Sequence, residues 1–189
     1  MKQTPKTIFL LSGKRKSGKD FVAQVLLDTI GREKCHLVHV SAPLKKQYAK
    51  ENGLDFEKLM SSGKYKEIHR KKMILWGEEV RNKDPGYFCS EATSNLTNDF
   101  WIVVDARRPS DVDYFTEAFQ NKVKLIRIQA PSCVRESRGW VFTKGVDDAA
   151  SECALDYLDN QKDVFYINND GKTSLEPKIE LILDKCLEN

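Results

Sequence analysis

The chain has 189 residues, of which 31 are basic and 28 acidic, for a formal net charge of +3. That length suits one compact α/β domain with a real core, and so even a charge balance does not by itself imply a nucleic-acid or membrane partner. Five cysteines, odd in number, scattered and without a CxxC pair, argue against a disulfide framework or a zinc site and fit a reducing compartment.

In chain order, the opening MKQTPKTIFLLSGK carries an apolar run too short for a signal peptide or a membrane span, and reads as a buried strand over Ile8 to Ser12. After a glycine-rich turn, Phe21, Val22, Val25, Leu26 and Ile30 fall at helical spacing. A second strand is predicted over Leu37 to Val40, followed by a helix to about Lys50 with the Ser41 hydroxyl as its cap and Pro43 in its first turn. Lys64 to Asn82 reads as a long charged helix with Ile68, Met73, Ile74 and Trp76 as its apolar stripe, broken by Asp84-Pro85-Gly86. Trp101 to Val104, Val123 to Ile128 and Val164 to Ile167 read as three more strands, and Pro109 starts a helix carrying Val112, Phe115 and Phe119. The alternation predicts an α/β fold of three layers, a five-stranded parallel sheet flanked by helices, with ligands beyond the carboxyl ends of the strands. Pro131 to Asp159, rich in Arg, Gly and Asp, lacks apolar rhythm and reads as a mobile Arg-rich lid, or else as a linker.

Gly13-Lys14-Arg15-Lys16-Ser17-Gly18-Lys19 fills the first seven positions of GxxxxGK[ST], directly after a strand and before a helix. Glycines let successive N–H groups face an anion, the helix N-terminus adds positive potential, and Lys19 reaches the outer phosphates. Such a loop binds a nucleoside triphosphate. Asp20 stands where Ser or Thr normally serves magnesium. Its carboxylate is a hard oxygen ligand that could hold the metal directly or through water, or could simply complement the helix dipole.

Asp105, at the end of the third strand, matches a Walker B carboxylate that orders the magnesium shell, or caps a turn. Arg107 and Arg108 follow at the mouth of the cleft, Arg127 sits in the fourth strand, Arg135 and Arg138 lie in the lid segment, and Arg70 and Arg81 lie on the long helix. Each has an ordinary surface reading. Together they call for a highly anionic ligand, because guanidinium forks bind phosphate oxygens in pairs and stabilise a transferring phosphoryl group. A GTPase is disfavoured, since Asn82-Lys83-Asp84 does not fit NKxD.

Beyond these readings the chain resembles the animal-type phosphomevalonate kinase family, a branch of the P-loop proteins related to nucleoside monophosphate kinases. The resemblance rests on SGKRKSGKDF at Ser12 to Phe21, SAPLK at Ser41 to Lys45, YKE, WGEE and DPGYFC between Tyr65 and Cys89, DARRPSD at Asp105 to Asp111, and RGWVFTKGVDDAASECALD at Arg138 to Asp156. Asp20 belongs to the family's own pattern. The resemblance implies one kinase domain over residues 1–189, with its phosphate loop at 13–20, an acceptor-binding helical region at about 43–98 and a closing lid at about 131–159. It implies Mg2+-dependent transfer from ATP to (R)-5-phosphomevalonate, giving (R)-5-diphosphomevalonate and ADP on the route to isoprenoids and sterols, by a monomeric cytosolic enzyme.

By the same analogy Gly13, Lys14, Arg15, Lys16, Ser17, Gly18, Lys19 and Asp20 bind ATP, with Arg138 and Asp170 as further nucleotide contacts. Lys19 and Arg107 stabilise the transition state. Lys45, Arg70, Arg81, Arg108 and Asn169 contact the acceptor, Arg135 and Arg138 arrive with the lid, and Asp20 and Asp105 serve magnesium. Asp147 and Asp148 read as caps of a helix after the lid, or as partners of its arginines.

A phosphate monoester has its second pKa near 6, so the acceptor is already ionised and no general base is required. His36, His39 and His69 then take ordinary structural roles. The alternatives are a nucleoside or other small-molecule monophosphate kinase, and a nucleotide-gated module gripping RNA with its basic helix. If the loop lysine acts on the transferring phosphate, Lys19→Met abolishes acceptor-dependent ADP release in steady-state assay while the circular dichroism spectrum stays that of the parent; near-parental turnover would refute the kinase reading.

Overall fold

The most apolar run of the chain forms the centre of the sheet. A computed structural model describes residues 4–61 and 63–187. Strand β1 (Thr7–Ser12) is buried along its whole length. Its alternation sends Ile8 and Leu10 into one apolar cluster and Phe9 and Leu11 into another, so both faces of the sheet are covered. β2 (Cys35–Val38), β3 (Phe100–Val103), β4 (Val123–Gln129) and β5 (Val164–Asn168) complete a parallel sheet in the order β2-β3-β1-β4-β5. The chain runs outward from β1 to β2, returns through β3, then crosses to β4 and β5. The reversal opens a crevice at the carboxyl ends of β1 and β3, where a ligand enters without displacing a crossover helix.

On one face α1 (Lys19–Ile30) packs with α9 (Glu176–Leu187). On the other, α2 (Ser41–Asn52), α3 (Phe56–Met60), α4 (Lys64–Lys83) and α5 (Tyr87–Thr93) join α6 (Pro109–Phe119), knit by Trp76 against Tyr48 at 5.7 Å and Phe88 at 6.1 Å between ring centroids. The helix α4 matches its predicted span, but its stripe is narrower: Met73 is buried, whereas Ile68 is 74% exposed.

β2 ends two residues earlier than predicted, and Val40 takes helical dihedrals as the N-cap of α2. The Ser41 hydroxyl makes no capping bond. Asp105 replaces it, its Oδ1 accepting the Val40 N–H at 2.7 Å and its Oδ2 the Ser41 N–H at 3.2 Å. A carboxylate from a distant strand end satisfies the helix donors better than a neutral hydroxyl, and it ties β3 to α2.

The Arg-rich segment is more ordered than its composition suggests. It holds α7 (Ser132–Ser137), a turn, the single helical turn α8 (Ala150–Cys153) and a 3-10 turn over Asp156–Asn160. Asp147 and Asp148 do not cap α8, whose N-cap is Ala149. They brace the preceding loop instead: Asp147 accepts from Trp140 Nε1 and the Thr143 N–H, both at 2.8 Å, and Asp148 from the Gly145 N–H at 2.5 Å. Asp147 also lies 3.5 Å from Arg15 Nε, an ion pair rather than an aligned hydrogen bond.

Gly13 leaves β1 at φ 155°, and a Cβ there would stand 2.4 Å from the Ile128 carbonyl oxygen of β4. That neighbour is backbone and cannot swing away. Gly53, the C-cap of α2 at φ 63°, has nothing within 4 Å of a built Cβ. Gly13→Ala is therefore expected to lose about 3 kcal/mol through clash and backbone strain, and Gly53→Ala only about 1 kcal/mol through strain alone. Urea melts of the two variants check this, and equal losses would contradict the packing account.

Candidate active site

The phosphate loop joins β1 to α1. Lys16 and Gly18 both take left-handed dihedrals, at φ 64° and 90°, and the Ser17 N–H closes back on the Lys14 carbonyl at 3.1 Å. Gly18 is the N-cap of α1 and has no side chain to satisfy the helix donors, which leaves them for an anion. Lys19 is buried, and its Nζ donates to the carbonyls of Gly13 at 2.6 Å and Lys14 at 3.2 Å. Burial, then the neighbouring Arg107, push its pKa down to about 8. Asp20 is exposed in the first turn of α1 and shares one cleft of about 830 Å3 with Lys19 and Asp105.

Asp105 does both things the sequence allowed it. It caps α2 and it lines the cleft. Burial opposes its charge, yet His39, the Ser41 side chain and the cations Lys45 and Arg107 hold its carboxyl below the usual range. With each oxygen bonded to an amide, a metal contact there runs most simply through water. An exposed carboxylate at Asp20 and an ionised one at Asp105 are a donor set that suits Mg2+, which keeps several waters and takes one or two protein carboxylates beside phosphate oxygens. Among the described residues no cluster of three or more His, Cys, Asp or Glu side chains could hold a metal without the nucleotide.

Beyond Lys19 the cleft narrows into a recess of about 110 Å3 between α2, α4 and the start of α6. Lys45, Arg70, Arg81, Arg107 and Arg108 line it. Each arginine is held by a carboxylate. Arg70 chelates Glu67 at 2.8 and 2.6 Å, Arg81 lies 3.5 Å from Asp111, and Arg108 bonds Glu78. Asp111 is fully buried, and its other oxygen accepts the N–H groups of Arg107 and Arg108, which sets the direction of both side chains. These pairings leave three buried nitrogens with no acceptor, Arg81 Nε and Arg108 Nε and Nη1. Unsatisfied buried donors are costly, so a recess that keeps them is arranged for anionic oxygens.

Three members of this site escaped the sequence reading. Lys66 lines both the recess and the outer cleft, and burial together with Lys45 and Arg70 lowers its pKa to about 8. Its only linear signal was its place in Tyr65-Lys66-Glu67. Glu78 and Glu152 were invisible for a different reason: an acidic residue in an anion site is recognised only once its arginine is seen beside it.

The Arg-rich segment lies against the phosphate loop. Arg135 Nε donates to the Arg15 carbonyl at 2.9 Å and stacks on Trp140 with 4.0 Å from guanidinium to ring centroid. Arg138 donates to the Ser17 carbonyl at 3.1 Å and to Asn169 Oδ1 at 3.0 Å. Asn169, expected among acceptor contacts, is buried on the loop side, where its Nδ2 donates to the Ser17 carbonyl at 3.0 Å; it lines a groove with Gly18 and Arg138, away from the recess. Asp170 folds its own loop, accepting from the N–H groups of Thr173 at 3.0 Å and Lys172 at 2.9 Å, bonds that bring its pKa down to about 2. Arg127, one of the arginines expected to gather at the ligand, is buried against Ser12, Asp156 and Asp159 and braces the sheet from behind.

A glycine-rich loop between the central strand and its helix, in a parallel sheet of this order, with a carboxylate at the end of β3 and a cationic recess beside it, defines a P-loop kinase. A family model described as phosphomevalonate kinase matches residues 11–121. The phosphomevalonate kinase of Drosophila melanogaster is 38% identical over 183 residues, covering 94% of this chain and 95% of that protein. Among solved structures the fold is shared with TT1252 from Thermus thermophilus, at a TM-score of 0.51 and 16% identity over 98% of both chains. It is shared also with shikimate kinase from Acinetobacter baumannii in complex with shikimate, at 0.51 and 14% identity over 99% of this chain and 96% of that one. The chain belongs to the phosphomevalonate kinase family.

Burial and neighbouring cations bring both Lys66 and Lys19 down to about 8, so each loses charge between neutral and alkaline pH. The phosphorylated acceptor gains its second charge near pH 6. kcat/KM for the acceptor should therefore rise to about pH 7 and fall above about pH 8, and Lys66→Arg should make the basic limb shallower because one of the two titrating cations becomes permanent. An unaltered basic limb in that variant would remove Lys66 from the acceptor site.

Proposed function

We propose that this chain transfers the γ-phosphoryl group of ATP to the phosphate of (R)-5-phosphomevalonate, releasing (R)-5-diphosphomevalonate and ADP, a step on the mevalonate route to isoprenoids. The observation that carries the acceptor side is the set of orphaned guanidinium nitrogens of Arg81 and Arg108 in the recess next to the phosphate loop. An acceptor bearing a phosphate at one end and a carboxylate at the other gives those donors the oxygens they lack. Leu44, Met73 and Ile74 supply an aliphatic wall for the carbon chain between, and no aromatic ring is among the described residues lining the recess, as a stacked nucleobase would want.

The chemistry is mainly one of charge. The attacking oxygen is ionised at neutral pH, so the enzyme must bring two polyanions together. Lys19 leaves its loop carbonyls for the outer phosphates of ATP, and Arg107 spans the gap between the loop and the recess, where negative charge spreads in the transition state. Lys45, Lys66 and Arg70 neutralise the acceptor phosphate, Arg108 and Arg81 hold the far end of the acceptor, and Arg138 with Asn169 borders the nucleotide. Mg2+, ordered by Asp20 and through water by Asp105, would neutralise phosphate charge and align the two reacting groups. The segment 131–159 serves as the lid, and keeping water from the reacting group suppresses ATP hydrolysis.

No helix among the described residues is long and apolar enough to cross a membrane. A cytosolic monomer acting on small molecules, without nucleic acid, fits this reading.

Steady-state ADP release with phosphomevalonate against AMP, CMP, GMP and UMP tests the assignment. Phosphomevalonate should be preferred at least about 100-fold in kcat/KM, because a site built around polar groups rejects ligands that leave them unpaired. Preference for any nucleotide would overturn it in favour of a nucleoside monophosphate kinase, and salt-sensitive RNA binding without acceptor-dependent turnover would overturn the kinase itself.

A further inference from the structure

Glu152 is bonded both to the phosphate loop and to Arg107 of the acceptor recess. It belongs to α8 in the Arg-rich segment, with its side chain only 3% exposed. Its Oε2 accepts the backbone N–H of Arg15 at 2.9 Å, and its Oε1 accepts from Nη1 of Arg107. The Ser151 carbonyl accepts from the same Arg107 nitrogen at 3.3 Å. Two adjacent residues of one helical turn therefore fix this guanidinium, and one of them is bonded at the same time to the phosphate loop.

Such a carboxylate opposes binding. It stands beside the places two polyanions must occupy, and repulsion at that range in a partly dry site works against both. Two donors meet this side chain, and a neutral amide would accept from only one of them and set its NH2 against the other. The carboxylate accepts from both and adds a fixed counter-charge. Without it Arg107, close to Lys19 and the other cations, would be driven toward solvent, and recovering its position during the reaction would cost reorganisation.

We infer that Glu152 is a positioning residue for phosphoryl transfer, locking Arg107 and the third position of the phosphate loop into one unit so that the guanidinium is already in place when ATP and acceptor meet. It does not touch the reacting atoms. Its effect passes through Arg107, and so rests on the reading of Arg107 as a transition-state group. It also makes the lid segment a part of the catalytic frame, because α8 delivers the carboxylate.

The test is a double-mutant cycle on the full chain with ATP, Mg2+ and phosphomevalonate, using Glu152→Gln, Arg107→Met and the pair. Glu152→Gln should lower kcat about 10- to 100-fold, as loss of an orienting partner commonly does, with KM for ATP changing less than about threefold. In the Arg107→Met background the same change should cost less than about twofold, since the group it orients is gone. Glu152→Asp, which keeps the charge and withdraws it by one methylene, should fall between parent and Gln, and carries the cycle should the Gln variant melt below assay temperature. Penalties that multiply in the double variant, or a raised KM for ATP with unchanged kcat, would overturn the inference. Failure of the substrate assignment shows separately, as absent phosphomevalonate-dependent turnover in the parent, and the cycle then runs on whichever acceptor the parent does phosphorylate.

Discussion

Lys19, Lys45, Lys66, Arg70, Arg107 and Arg108 converge on one cleft at the carboxyl ends of β1 and β3, and each charge raises the cost of burying the next. The depressed pKa values of Lys19 and Lys66 register that cost. The chain meets it with a ring of carboxylates. Glu67, Glu78, Asp111 and Glu152 hold the arginines, and Asp105 anchors the N-terminus of α2 behind Lys45. Opposite charges this close keep the cations in place before any ligand arrives, and they leave selected donors of Arg81 and Arg108 unspent. Affinity for two polyanions is thus stored as incompletely satisfied positive charge.

The same constraint explains why the Arg-rich segment is joined so firmly to the loop. Arg135 and Arg138 donate to loop carbonyls, Glu152 accepts from a loop amide, and Asp156 takes both Lys14, at 2.5 Å, and Arg127, at 3.0 Å. Loop donors and acceptors are thus used to hold this segment, and through Glu152 the same contacts join the loop to Arg107.

Site chemistry and not fold decides function, so the acceptor is set by what stands beyond the loop. Here that region is α2 to α5, and its aromatic packing of Trp76 on Tyr48 and Phe88 fixes the angle at which α4 offers Lys66, Arg70 and Arg81 to the recess.

Local sequence determined the phosphate loop, the five strands and the long charged helix, because each is written as a short-range pattern: glycines at fixed offsets, apolar runs, helical spacing. It also named most of the cations. The helix α9 is equally legible through Ile179, Ile182, Leu183 and Cys186, all buried and at helical spacing, although no motif marks it. Other features depended on groups far apart in the chain. That Asp105 rather than Ser41 caps α2, that Asn169 serves the loop side and not the acceptor, that Arg127 is spent on Asp156 and Asp159, and that Glu152 holds Arg107 are all contacts across 29 to 152 positions of sequence. Residue type and local period say which groups carry charge. Only the folded sheet, by fixing which strand ends lie side by side, decides which charges meet each other and which are left for the substrate.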